Sequence, residues 1–234
     1  MRWIVRDRQA WMLAVTCAVL VAGVAEASPT TYTSQAAFFT ALGGPSQTLD
    51  FESLPVSTTI PSGTTQSGIT FTYSLGALSL QVRNDFDTTS PTHYLGVTST
   101  DGTFLNGESF TMDFASPITA LGLYVIGAPD ANMAGDFSLV AFGSGGLGND
   151  AVPDRFLADG DAYFLGIIDP AGFSEALLLS TTASCNPASN CQFVWNVDDI
   201  TTRSAETAVP EPPSLLLLLP GAAGLVRLAR GRRR

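Results

Sequence analysis

Positive charge is scarce in this sequence outside its two ends, and lysine is absent altogether. Between residues 28 and 208 there are 18 acidic residues and three arginines, a net charge of −15. Such a surface repels the phosphates of nucleic acids and anionic lipids, so no nucleic-acid partner is expected. The same charge favours divalent cations and neutral ligands such as sugars.

Side chains that commonly carry catalysis are also few. His93 is the single histidine, and no Gly-x-Ser-x-Gly elbow accompanies it, so a serine hydrolase triad is not expected. No zinc-protease helix, phosphate-binding glycine loop or dinucleotide fingerprint occurs. A carboxylate pair for glycoside hydrolysis stays open, because the separation of such a pair is set by the fold. The sequence therefore favours a protein that is not an enzyme.

Cysteine is limited to three residues. Cys17 lies in an apolar N-terminal segment, whereas Cys185 and Cys191 bracket a turn-rich loop. The latter two are expected to form a disulfide in an oxidising compartment. Metal ligation is the competing interpretation, and it is weaker because two cysteines without a nearby histidine make a poor zinc site.

The N-terminus has the three parts of a secretory signal. Three arginines lie among the first eight residues, residues 10–24 are apolar, and a small-x-small cleavage pattern ends at Ala27. We therefore predict a signal peptide over residues 1–27, with cleavage between Ala27 and Ser28. An uncleaved anchor is the alternative, and the short apolar segment argues against it.

The C-terminus is also built from three parts. The first part is a stiff proline motif made of Val209, Pro210, Glu211 and Pro212. An uncharged run then covers residues 214–226, and five arginines lie among residues 227–234. Counted through Leu228, the apolar part reaches roughly 22 Å as a helix, which is short for a hydrocarbon core of about 30 Å. The arginines favour an orientation that leaves the preceding chain outside the cytoplasm.

This succession of proline motif, apolar run and basic end resembles the PEP-CTERM sorting signal of Gram-negative bacteria. The resemblance covers residues 209–234 and implies recognition by an exosortase, a membrane processing enzyme of species that make exopolysaccharide. It implies an exported protein that is membrane-anchored before processing and afterwards lies at the cell surface or in the extracellular matrix. Pro220 departs from the pattern, because it would kink a spanning helix. An ordinary C-terminal anchor is the alternative, and removal of the tail is left open.

Between the two ends, residues 28–208 have the length of one domain with a full hydrophobic core. Apolar and polar residues alternate in short segments such as 69–73 and 110–114, and turn signals such as Ser116-Pro117 separate them. A glycine-rich stretch at 143–149 predicts a flexible loop. The pattern predicts an all-β fold, an antiparallel β-sandwich with jelly-roll topology preferred.

Helices are predicted at two places only. Residues Ser34–Leu42 read as one short N-terminal helix with Ser34 as its N-cap. The apolar run of the tail is predicted to form a C-terminal transmembrane sorting helix. The expected organisation is a signal peptide, a β-sandwich over 28–208 and a sorting signal over 209–234.

Acids at the ends of two predicted strands suggest a metal site. Glu52 follows an early strand, and Asp198 and Asp199 lie on the last one. In jelly-roll carbohydrate-binding modules, which these segments loosely resemble, acids from such strands often hold a structural calcium ion. Calcium takes six to eight oxygen ligands and tolerates irregular geometry. Glu52, Asp198 and Asp199 are therefore the predicted calcium ligands, and solvated strand-end acids are the alternative.

Another group of acids, Asp159 and Asp161 with Asp154 upstream, is better interpreted as a solvated loop, because it lacks the closing ligands of an EF-hand. Five aromatic side chains are candidates for stacking on sugar rings, namely Tyr73, Phe86, Tyr94, Tyr124 and Trp195, of which Trp195 better fits the core.

Together these features predict an exported, non-catalytic protein of the cell surface or exopolysaccharide matrix, with glycan binding as an expected activity. Two alternatives remain, a carbohydrate-active enzyme that uses a carboxylate pair, and a structural or adhesive protein without glycan affinity.

Overall fold

A computed structural model of the chain describes residues 28–127, 133–143, 145–150, 152–158, 160–180 and 193–205. The predictions on Ala27, Cys185, Cys191 and the motif at 209–212 fall outside these residues. The chain divides into one unit of Met1–Ser204 and a second of Ala205–Arg234. The fold described below is that of the first unit. In the part of the chain that the structure describes, no helix is both long and apolar enough to cross a membrane.

The first unit contains fourteen described strands and one described helix. Twelve of the strands have between two and eleven residues, whereas β9 and β13 have 19 and 20 residues. Helix α1 covers Gln35–Leu42. The strands are β1 (Thr30–Tyr32), β2 (Gln47–Leu49), β3 (Thr59–Ile60), β4 (Thr64–Gln66), β5 (Ile69–Tyr73), β6 (Leu80–Arg83), β7 (Tyr94–Val97), β8 (Phe104–Leu105), β9 (Ser109–Gly127), β10 (Phe137–Ala141), β11 (Gly146–Asn149), β12 (Arg155–Phe156), β13 (Asp161–Ser180) and β14 (Val194–Ser204).

All described strand pairs are antiparallel, and the main path through the sheet is β11-β10-β13-β9-β14-β7-β6-β3. The two long strands pair with each other along nearly their whole length, with register shifts between Ile168 and Glu175. Such irregularities bend a strand, so the two halves of each long strand close over one core. The predicted all-β, antiparallel sandwich with one short N-terminal helix is confirmed.

Two predictions about chain breaks are wrong. Strand β9 continues without a break through Ser116-Pro117, which was expected to be a turn. The glycine-rich 143–149 stretch, expected to be a flexible loop, contains strand β11. Pro117 lies in an exposed part of β9 beside the register shift, where a missing N–H costs little. Proline therefore marks a bend in a long strand here and does not end it.

The main core is centred on aromatic rings. Trp195 is fully buried and stacks on Phe104 with ring centroids 4.3 Å apart. Phe137 meets the same indole at 68° and 5.3 Å. The indole Nε1 donates to the carbonyl oxygen of Leu105 at 2.9 Å, which satisfies its one polar group. Trp195 is thus a core residue and is not available to a sugar.

Helix α1 packs on the other face of the sheet, where two glycines make room for it. Gly122 on β9 and Gly166 on β13 lie directly opposite each other. A Cβ atom at Gly166 would approach the rings of Phe38 and Phe164 to 2.8 Å, and one at Gly122 would come within 3.0 Å of Phe38. The two glycines therefore form a hollow that receives Phe38, which is fully buried.

The N-terminus of α1 is capped differently from the prediction. Ser34 occupies the N-cap position, but its side chain makes no capping hydrogen bond. The backbone N–H of Gln35 donates instead to Asp154 Oδ2 at 3.2 Å. A carboxylate at this end of a helix also interacts favourably with the helix dipole. Asp154, which the sequence assigned to a solvated loop, therefore fastens the helix to the sheet.

Substitution of Gly166 by alanine should lower the free energy of unfolding by about 1–3 kcal/mol, the usual cost of overpacking a core. The added methyl group would meet two buried aromatic rings. Gly148→Ala is the matched control, because the nearest atom to its Cβ would lie at an ordinary 3.5 Å. Urea unfolding measures both, and equal losses for the two variants would contradict the proposed hollow.

Candidate functional site

Two of the predicted metal ligands, Glu52 and Asp198, lie beneath one loop, residues 84–93. Strand β2 pairs with β14, with Leu49 opposite Ile200. Glu52 follows β2 and Asp198 lies on β14, so the two side chains approach the loop from neighbouring strands. The structure brings both of them to this loop, which we call the anchored loop.

Asp198 holds the middle of the anchored loop, at Thr89 and Ser90, and is itself fully buried. Its Oδ2 atom accepts the backbone N–H of Thr89 at 2.9 Å and that of Ser90 at 2.8 Å. Its Oδ1 atom accepts the N–H of Asp199 at 2.8 Å. An ionised carboxylate is an acceptor only, so these three donors suit the charged form. Asp198 therefore acts as an internal cap for the turn.

Glu52 holds the end of the anchored loop. Its Oε1 atom accepts the N–H groups of Thr92 and His93 at 2.7 and 2.6 Å. Its Oε2 atom accepts the hydroxyl of Thr92 at 2.8 Å. Burial works against the charged carboxylate, but the hydrogen bonds from His93 and Thr92 outweigh it and lower the pKa of Glu52 from its ordinary value. The two acids thus fix both ends of one turn.

The Ser90 hydroxyl connects the two carboxylates. It lies 2.8 Å from Asp198 Oδ2, 3.4 Å from Glu52 Oε1 and 3.1 Å from the carbonyl oxygen of His93. A hydroxyl carries one proton, so it cannot donate fully to all three oxygens at once. If Asp198 is protonated, its O–H group can donate a hydrogen bond to the Ser90 hydroxyl, which then donates to the His93 carbonyl oxygen.

Two of the four described non-glycine residues with a positive φ lie beside these anchors. Phe51 and Asp199 have φ values of 61° and 53°, in the left-handed region that bulky residues seldom adopt. Asp199 lies where the register of β14 against β9 shifts between Asp198 and Thr201. Conformations of this kind cost of the order of 1–3 kcal/mol each and gather at functional sites. Their position supports the anchored loop as the candidate site.

The electrostatic environment shifts the pKa values of Asp198 and Glu52 in opposite directions. Burial and the neighbouring charge of Asp199 raise the pKa of Asp198 to about 7, in spite of its N–H donors. Burial also raises the pKa of Asp199. Glu52 therefore keeps its charge at a pH where Asp198 is close to half protonated.

The outer side of the anchored loop is a cleft with a volume of about 310 Å³. This is at the lower end of the range for small-molecule sites, about 300–1,000 Å³. Phe86 supplies an aromatic ring, and most of the other lining side chains can form hydrogen bonds. A sugar ring needs this combination of a stacking surface and polar partners. The cleft is lined by Asn84, Phe86, Asp87, Thr88, Ser90, Pro91 and Thr92.

Further contacts hold the anchored loop from below and at its start. Asn196 Nδ2 donates to the carbonyl oxygen of Asp87 at 3.3 Å. Asp85 forms an ion pair with Arg83 and accepts the hydroxyl of Tyr94 at 2.7 Å. Tyr94 is fully buried, and burial together with the Asp85 hydrogen bond raises its pKa. The loop that carries the cleft is thus fixed before any ligand binds.

The other aromatic candidates for sugar stacking do not line the cleft. Tyr94 and Tyr124 are fully buried, and the Tyr124 hydroxyl donates to Asp154 Oδ2 at 2.6 Å. Tyr73 is half-buried, and its hydroxyl donates to the carbonyl oxygen of Ile60 at 2.6 Å. Phe86 is the one predicted aromatic that the structure places in the cleft wall.

In the described part of the chain, no group of three or more histidine, cysteine, aspartate or glutamate side chains is arranged to hold a metal ion. The carboxylates of Glu52 and Asp198 each face three or more N–H and O–H donors, which occupy most of the lone pairs that a cation would use. Calcium at Glu52, Asp198 and Asp199 stays a prediction. Its binding there requires several loop donors to turn away.

Sequence reasoning missed the residues that build the anchored loop. Thr89, Ser90 and Thr92 supply the donors, and Asn196 adds a contact from β14. A run of serine and threonine around Pro91 is a turn signal. It does not tell which distant carboxylates will receive the donors of the turn.

No family model matches this chain, and no curated protein matches it either. The family resemblance is therefore carried by the sequence of residues 209–234 alone. The interpretation of the anchored loop rests on its own geometry.

The two anchoring carboxyl groups should titrate on opposite sides of their ordinary range. Because the folded-state pKa of Asp198 lies above the unfolded value of about 3.9, its contribution to stability is complete below that pH and is lost as pH rises toward 7. Glu52, with a lowered pKa, contributes above its ordinary pKa and loses that contribution in acid. Carboxyl carbon NMR of the folded protein measures both midpoints, and a midpoint for Asp198 below about 4 would contradict this account.

Proposed function

We propose that this chain is an exported, non-catalytic protein of the cell surface or exopolysaccharide matrix that binds glycan in the cleft of the anchored loop. The observation that carries the glycan-binding part is the cleft itself, where Phe86 lies among hydroxyl, amide and carboxylate side chains. The export part is supported by the sequence of the two ends.

Export follows from the signal-like residues 1–27 and the PEP-CTERM-like residues 209–234. The partner in sorting is an exosortase, and the chain is held in the membrane before processing. The acidic body suits an environment of neutral polymers and cations, since its charge repels anionic surfaces. Processing then leaves the β-sandwich at the cell surface or in the matrix of a biofilm.

The rigidity of the anchored loop supports a role in binding. Asp198 and Glu52 hold residues 89–93, the second half of the loop, through N–H and O–H groups of Thr89, Ser90, Thr92 and His93. Ordering a mobile loop costs free energy during association, and a loop that is already ordered avoids this cost. A glycan would therefore meet a preformed surface.

The acids around the cleft support binding over hydrolysis. Among the described residues that line it, Asp87 is the single acid. Glycosidases use two carboxyl groups that flank the scissile bond, separated by about 5–9.5 Å. The carboxylates of Glu52 and Asp198 are occupied by the backbone of the loop and do not supply a second reacting group.

Purified protein lacking the signal peptide should bind a glycan on an array, and Phe86→Ala should weaken that binding about tenfold through the loss of stacking. Phe142→Ala is the matched control, because Phe142 is 43% exposed and lies outside the cleft. Phe86 also packs against the hydrophobic cluster below α1, so its removal can destabilise the fold. The thermal midpoint of each variant is therefore measured. Asn84→Ala provides a second cleft variant.

Absence of glycan binding by the unsubstituted protein, or equal binding by the Phe86 and Phe142 variants, would contradict the proposed site. Loss of polymer viscosity that disappears after single acid-to-amide changes would instead favour the enzyme. Self-association without glycan affinity would favour a structural or adhesive protein.

Mass spectrometry of the native protein tests the export part. The expected product begins at Ser28, and it is recovered from the envelope or the medium. The same spectrum reports whether the chain still carries its arginine-rich end or has been processed near Pro210-Glu211-Pro212. An intact chain in the cytosol, with Cys185 and Cys191 reduced, would contradict export.

A further inference from the structure

A second acidic site lies away from the anchored loop, at one end of the β10–β11 hairpin. Asp136 precedes β10 and Asp150 follows β11, and these strands pair with Ser138 opposite Asn149. The two acids therefore lie at the same end of the hairpin. Their side chains are 2% and 3% exposed. Buried aspartates are rare unless a partner compensates their charge.

Hydrogen bonds hold the two residues together. Asp150 Oδ2 accepts the N–H of Gly135 at 2.9 Å, and Oδ1 accepts the N–H of Phe137 at 2.8 Å. Gly135 and Phe137 are the neighbours of Asp136 in the chain. The backbone on both sides of Asp136 is thus fixed to the carboxylate of Asp150, which keeps the two acids close.

The Asp136 side chain lacks the compensation that Asp150 has. Its Oδ1 atom is buried and has no hydrogen-bond partner among the described residues. An unpaired buried oxygen on a charged group costs more free energy than one on a neutral group. The orphaned oxygen can be satisfied by a proton, an ordered water molecule or a cation.

The charges of this pair act on their surroundings. Burial and, with a smaller effect, the charge of Asp136 raise the pKa of Asp150 to about 6, although the N–H groups of Phe137 and Gly135 oppose the shift. Burial raises the pKa of Tyr163, and the charges of Asp161, Asp150 and Asp136 raise it further. Negative charge from several acids is therefore concentrated around this end of the hairpin.

We propose that Asp136 and Asp150 form the protein part of a binding site for a hard divalent cation, Ca²⁺ or Mg²⁺, at the end of the β10–β11 hairpin. Both lone pairs of Asp136 Oδ1 are unused, and each oxygen of Asp150 keeps a lone pair beyond the one that its N–H donor uses. Water and backbone carbonyl oxygens complete the shell, as is usual for Mg²⁺ held by one or two carboxylates and acceptable for Ca²⁺. The site does not depend on the proposed glycan binding.

Isothermal titration of the chelator-treated protein with CaCl₂ and, separately, MgCl₂ tests the proposal. One cation per chain is expected to bind and to raise the thermal midpoint, because a ligand that binds only the folded state stabilises it. Asp136→Asn keeps the shape but removes the charge, and it should weaken binding at least about tenfold, since affinity follows the charge of the ligands. Asp169→Asn is the matched control, because Asp169 is 1% exposed and also has a buried oxygen without a partner.

NMR of the unsubstituted protein gives a readout that does not depend on how the variants fold. Cation binding should shift the amide signals of Gly135 and Phe137, which are bonded to Asp150, more than those of Thr89 and Ser90 on the anchored loop.

Three results would overturn the proposal. The first is that neither cation binds the unsubstituted protein. The second is that binding is unchanged in Asp136→Asn. The third is that binding is lost in Asp198→Asn while the Gly135 and Phe137 signals stay unshifted. The first result, together with a higher thermal midpoint of Asp136→Asn in chelator, would assign a proton to the orphaned oxygen.

Discussion

Antiparallel pairing between β9 and β13 positions the other parts of the molecule. The ladder extends from Gly127 opposite Asp161 to Ser109 opposite Leu179, with bulges in its middle. Both strands carry residues for the main core on one face and for the packing of α1 on the other. Strand β14 pairs with the free edge of β9, and β10 pairs with the free edge of β13. In the order of the strands, the anchored loop therefore belongs to the β9 side of this ladder and the acidic pair to the β13 side.

The face that receives α1 connects the helix to the candidate site. Tyr124 lies on β9 opposite Asp198 of β14, and its hydroxyl donates to the carboxylate of Asp154, which also accepts the first N–H of α1. Arg155 lies over the Tyr124 ring, 4.8 Å from its centroid, and donates to Gln35. Its positive charge reduces the rise in the pKa of Asp199, which burial dominates. A polar network that begins at the helix thus brings a positive charge to act on Asp199 at the bulge.

Each of the three arginines of the body is used within the fold. Arg83 pairs with Asp85, Arg155 covers Tyr124, and Arg203 donates to the carbonyl oxygen of Leu42 at the end of α1. Each of them fixes a turn or a helix end. Because the three arginines are engaged in these contacts, the charge of the buried acids has to be compensated by backbone N–H groups, protons or ions from solution.

Local patterns explain which parts of the fold could be predicted from the sequence. The alternation at 69–73 gives strand β5 with the same bounds, and the predicted helix over Ser34–Leu42 differs from α1 by one residue. The error at Ser116-Pro117 arose because the cost of proline in a strand depends on whether a partner needs its N–H, and this is a property of the sheet. The hollow between Gly122 and Gly166 was also invisible, since each glycine has a role only beside its partner across the ladder.

For the acids, too, local sequence predicts some features and the tertiary fold decides the others. The sequence identified Glu52 and Asp198 as acids at the ends of strands that would come together, and they do reach one loop. Counting oxygen ligands could not predict their environment, because a third segment, residues 89–93, supplies N–H and O–H donors to both carboxylates. Asp136 and Asp150 carry no motif, yet one of their oxygens is buried without any donor. Whether a carboxylate oxygen is left available to a cation depends on the number of donors that reach it, and that number is decided by the tertiary fold.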